Sequence, residues 1–204
     1  MSTFISFHIK SDDRNEIANL LQELSGVEQI TEDVSYPNDL FRNILMVENA
    51  DPSFLAVGNV ENGWTTVYLN SFKKLNNWAQ KISQRLDTTF IHVIGQNTSD
   101  VYYFLVYESG ELKREIEVYH GDLENVIDKG DRLWFEKESL VPLHEEDYDN
   151  LFDIDTIEQY CKEFGFQLFP EVQPKCYLIL RKKHLGMTME RCIASYKKPW
   201  WKFW

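Results

Sequence analysis

Residues 54–69 read FLAVGNVENGWTTVYL. Two strand-like runs, FLAVGNV (54–60) and WTTVYL (64–69), flank Glu61-Asn62-Gly63. Asn-Gly between such runs predicts a tight hairpin, because both residues tolerate the positive φ that the turn demands. A hairpin makes its two strands antiparallel, so the fold class depends on whether the neighbouring segments continue the pattern.

They do. Upstream, TFISFHI (3–9) is β-branched and alternating; Asp12 or Asp13 then caps a helix whose Ile17, Leu20, Leu21 and Leu24 form one stripe before Gly26. ILMVEN (44–49) reads as a further strand. Downstream, Ser71 is placed to cap a helix over 72–86, with Phe72, Leu75, Trp78, Ala79, Ile82 and Leu86 inward and Lys73, Lys74, Lys81 and Arg85 elsewhere. TTFIHVIG (88–95) and VYYFLVY (101–107) follow as strands, the second apolar on both sides as a central strand requires. Glu108-Ser109-Gly110 turns the chain into ELKREIEVY (111–119), where Leu112, Arg114, Ile116 and Val118 alternate with Lys113, Glu115 and Glu117. That strand is expected half-exposed near a sheet edge. The order predicts an α+β protein, a mostly antiparallel sheet with helices packed on one face.

Past residue 120 the composition shifts. Residues 1–120 form the α+β core unit and 121–155 an acidic, irregular segment, too long for a loop without short elements or a function of its own. Residues 156–204 supply a helix (156–164, opened by an Asp155/Glu158 capping box and closed by Gly165), a strand (CYLILRKK, 176–183) and a Trp-rich tail packed on the core. The formal net charge is −12 and unevenly spread. Residues 121–155 hold twelve acids against Lys129, Arg132 and Lys137, a net of −9, whereas residues 175–204 hold eight bases against Glu190, a net of +7. An acidic surface of this kind disfavours nucleic acid and suits a basic protein partner.

The start MSTFISFHIKSDDR lacks the profile of a secretory leader, and no apolar run has the length of a membrane span, so a cytoplasmic protein without stable membrane insertion is expected. Cys161, Cys176 and Cys192 form no CxxC pair and read as reduced thiols, Cys161 on the apolar face of its helix. The phosphate-loop, dinucleotide, zinc-protease, nucleophile-elbow and calcium-loop motifs are missing, and His8, His92, His120, His144 and His184 show no i,i+2 or i,i+4 pair. No metal and no cofactor are expected.

Three sets of residues compete for function. The acids Glu145, Glu146, Asp147 and Asp149 with Tyr148 as aromatic anchor suit a protein interface. His92, Asp100 and His120, with an aromatic floor of Trp64, Tyr102 and Phe104, form the alternative ligand or acid–base site; rings of this kind more often simply pack beneath a helix. The tail KKPWWKFW, with Trp200, Trp201 and Trp204 beside Lys197, Lys198 and Lys202, resembles an interfacial anchor. Packing onto its own fold or a neighbouring chain is favoured for it and leaves a homo-oligomer open.

GWTTVYLNS, the helix end SQRLDTTFIHVIGQ and SDVYYFLVYESGELKREIE together resemble uncharacterised bacterial cytosolic proteins, some grouped with the immunity proteins of polymorphic toxin systems. The likeness covers about residues 58–119 and rests on Gly63-Trp64, Asp100-Val101 and Gly110-Glu111-Leu112. It implies a non-enzymatic module that neutralises a basic toxin by binding it, and it carries over no catalytic residue. A small-molecule-binding or hydrolytic protein using the aromatic sheet face, and a peripheral membrane or scaffold protein acting through the tail, are the alternatives.

Overall fold

A computed structural model of the chain describes residues 3–34, 50–96, 99–119, 126–136, 152–169 and 177–182. It is an α+β fold built on one nine-stranded sheet. The strands are β1 (Thr3–Ile9), β2 (Glu28–Val34), β3 (Phe54–Glu61), β4 (Trp64–Leu69), β5 (Thr89–Gln96), β6 (Val101–Glu108), β7 (Glu111–Tyr119), β8 (Ile127–Gly130) and β9 (Tyr177–Arg181). They lie in the order β2-β9-β3-β4-β1-β5-β6-β7-β8, every neighbouring pair antiparallel. The expected strand at 44–49 lies outside the described residues.

The turns behave as their residues require. Asn62 and Gly63 adopt φ of 51° and 79° and close β3 onto β4; Ser109 and Gly110, at 50° and 88°, close β6 onto β7. Both pairs have φ > 0 at the two central positions, the twist that matches right-handed strands.

Among the described residues the helices are α1 (Arg14–Ser25), α2 (Asn76–Arg85) and α3 (Ile154–Glu163). Asp13 caps α1 by accepting from Glu16 N at 2.9 Å, and Gly26 ends it with φ of 65°. Two starts differ from expectation. The Ser71 hydroxyl donates to Ala50 O at 2.6 Å and accepts from Lys73 N at 3.1 Å, so it organises a turn, and α2 begins at Asn76 without a side-chain cap. Asp153, two residues before the expected Asp155, caps α3 by accepting from both Thr156 N and Oγ1 at 2.9 Å.

α1 and α2 share one face of the sheet, as expected. Ile17, Ala18 and Leu21 with Leu75, Trp78, Ala79 and Ile82 pack there on Phe7, Leu55, Val67, Phe90 and Leu105. α3 departs from the one-face expectation, placing Ile157, Tyr160 and Cys161 on the opposite face against Ile91, Val93, Phe104 and Ile116. The reason is visible in β5 and β6, whose successive side chains are apolar on both sides: a single helical layer leaves one apolar row in water. Trp64, Tyr102 and Phe104 therefore lie beneath α3, with Trp64 Nε1 donating to Phe164 O at 3.2 Å.

Candidate functional site

The expected acid–base residues are not brought together. His92 lies mid-strand in β5, wholly buried on the α1/α2 face, edge-on to Tyr103 with ring centroids 5.6 Å apart. Neither of its ring nitrogens has a hydrogen-bond partner among the described residues, and burial lowers its pKa to about 3. Asp100 is exposed in the turn that opens β6, at φ of 47°. His120 lies outside the described residues, as do Glu145, Glu146, Asp147, Tyr148 and Asp149 and the tail residues Trp200, Trp201 and Trp204. The buried histidine that is satisfied is His8, on the α3 face, with Nε2 3.0 Å from Ser6 Oγ and Nδ1 2.9 Å from Thr66 Oγ1. Burial and the neighbouring His92 lower its pKa to about 3 as well, so both rings are neutral at physiological pH. Burial, with a smaller contribution from Glu158, raises the Cys161 thiol far above its ordinary range, which makes it a packing residue.

Glu115 and Glu117, assigned by alternation to the exposed row of β7, instead support α2. Glu115 is 5% exposed and accepts from Asn76 Nδ2 at 3.1 Å and from the Tyr103 hydroxyl at 3.2 Å, with Lys129 Nζ at 3.5 Å. Glu117 pairs with Lys74. These carboxylates stand where α2 lacks a capping side chain, and burial together with the Glu115 charge drives the Tyr103 phenol far above its usual range. The arrangement is a closed set of hydrogen bonds that seats the helix start.

On the other face, Arg114 projects from the apolar row of β7 and is 1% exposed. Its Nε and Nη2 fork onto the Glu136 carboxylate, each at 2.9 Å, and Nη1 reaches Asp128 of β8 and Lys129 O at 3.2 Å. Glu136 is itself 0% exposed in its side chain and also accepts from Leu133 N at 3.2 Å. A buried two-pronged pair of this kind has little conformational freedom, so it clamps residues 131–136 to the sheet.

Neither a family model, nor a curated protein, nor a solved structure matches this chain.

What the clamp displays is an aromatic wedge. Phe135 turns inward onto Tyr160 and Phe164, at 4.8 and 5.6 Å between centroids. Trp134 turns outward and remains 72% exposed, edge-on to Phe164 at 5.2 Å. Beside it is an open groove of about 220 Å³ lined by Val106, Leu133, Trp134 and Phe164, with Glu108 and Asp131 among its polar residues. Trp134 is the most exposed large apolar side chain among the described residues, and it stands inside the acidic segment 121–155. The sequence held a signal for it, since Leu133-Trp134-Phe135 is an apolar run in an otherwise charged stretch. What alternation and spacing do not report is which of the two rings faces out. Among the described residues no group of three or more metal-ligating side chains converges, and no helix is long and apolar enough to cross a membrane.

Proposed function

We propose that this chain is a non-enzymatic protein-binding module that takes a basic protein as its partner, in the manner of the toxin-neutralising immunity proteins its central segment resembles. One observation carries the reading. Trp134 is 72% exposed on a loop clamped by a buried ion pair, within a segment of net charge −9. Tryptophan is the residue type most enriched where truncation costs binding energy, and a clamped loop loses little conformational entropy on association. The surrounding carboxylates speed encounter with a cationic surface.

The test is affinity capture from bacteria that encode the chain, using the full chain as bait, washed across a salt series and compared with Trp134→Ala. The expected result is one stoichiometric basic protein that dissociates as salt rises and binds Trp134→Ala about 30-fold more weakly, the effect of roughly 2 kcal/mol at an interface anchor. A partner held equally by Trp134→Ala, with the variant folded by circular dichroism, removes the assignment.

A further inference from the structure

Resting on that reading, we propose that the groove beside Trp134 is a seat for a single arginine side chain of the basic partner. Three observations converge on this. The groove's volume of about 220 Å³ falls below the roughly 300–1,000 Å³ of sites that enclose a whole small ligand. It suits one projecting side chain. Its apolar lining includes Trp134 and Phe164, and a planar guanidinium stacks on an indole better than an ammonium does.

Its charge is complementary as well. Four charged residues line it: Glu108, Lys113, Asp131 and Arg132. Lys113 Nζ is already taken by Glu111 at 2.8 Å, with Glu108 and Asp131 acting on it at longer range. Neither Glu108 nor Asp131 has a side-chain hydrogen bond or an ion pair among the described residues, nor does Arg132. Two carboxylates without a close partner thus face one cation, and a guanidinium entering between them restores the balance. Arg132 opposes it, which yields a prediction opposite in sign to that for the acids.

The experiment titrates the ¹⁵N-labelled full chain with N-acetyl-arginine amide, following the Trp134 indole resonance, identified by its loss in Trp134→Phe. The expected result is a saturable shift with the arginine probe and a weaker one with the lysine analogue. The uncharged citrulline analogue should produce none. Affinity should fall about tenfold in Glu108→Gln/Asp131→Asn, and Arg132→Gln should tighten it. An absent shift, an equal response to citrulline, or unchanged affinity in the acid-to-amide pair overturns the arginine seat. The same variants in the capture experiment separate the two claims. A partner lost with Trp134→Ala but kept in full by Glu108→Gln/Asp131→Asn overturns the seat and leaves the binding module standing. A captured partner indifferent to Trp134 overturns the module whatever the probe does.

Discussion

Arg114 shows how a single position in an alternating strand is decided. It stands in the same row as Ile116 and Val118, so alternation places it on the covered face, yet nothing local says that Glu136 and Asp128 will meet it there. Removing the guanidinium strands the Glu136 carboxylate away from water. Arg114→Ala is therefore expected to cost about 3–5 kcal/mol, the range for breaking one side of a buried pair. Chemical denaturation measures it. The paired replacement Arg114→Met with Glu136→Leu should recover most of the loss, because two apolar groups carry no desolvation penalty. If Arg114→Ala costs under 1 kcal/mol, the clamp is not what holds Trp134 in place. Legibility at this scale was partial: the covered rows of the strands follow from side-chain type, whereas the burial of Glu115 and the exposure of Trp134 depend on partners distant in the chain.

At the scale of elements, the hairpins were legible because their signals are local. Asn62-Gly63 and Ser109-Gly110 need only their own φ to be satisfied. Helix starts were less so, since a capping hydroxyl is claimed by whichever donor or acceptor reaches it first, and Ser71 is claimed by Ala50. The strand β8 is the element on which the proposed site depends, for it joins the sheet to the Trp134 loop. It is four residues long, pairs only with β7 among the described strands, and ends at Gly130. Gly130 has φ of 85°, and a Cβ there would stand 2.2 Å from Lys113 O, a backbone atom that cannot swing aside. Gly130→Ala should cost about 1–3 kcal/mol in left-handed strain and loosen β8 from β7. Hydrogen exchange reads the second effect directly: amides of 127–130 should exchange faster while those of β5 and β6 are unchanged. Equal protection in the variant refutes the role given to Gly130.

For the whole molecule, the centre of the sheet carries a pH dependence. His8 and His92 are buried and neutral, their pKa values lowered to about 3 from an ordinary 6.5. Below about pH 6.5 the unfolded chain takes up protons that the folded chain refuses, so the unfolded state binds more protons and stability falls as pH falls toward 3. The slope is about 1.4 kcal/mol per pH unit per histidine at most. Of the two, His92 has both nitrogens unsatisfied among the described residues. His92→Leu removes that penalty as well as the titration, and is expected to raise stability at neutral pH by about 1–3 kcal/mol and to move acid unfolding to lower pH. A variant that is destabilised, or that unfolds at the unchanged pH, shows that His92 is compensated in a way these contacts do not account for.

By itself the sequence determined the α+β class, the antiparallel pairing along β3-β4 and β5-β6-β7, the helix stripes and the acidic character of 121–155. Those properties follow from periods of two and 3.6 residues and from turns that satisfy themselves within a few positions. The tertiary structure alone decided that β9 inserts between β2 and β3, that α3 covers the face opposite α1 and α2, that Arg114 and Glu136 meet, and that Trp134 faces outward. Each is a contact between segments far apart in the chain, and periodicity states that a face is covered without stating by what.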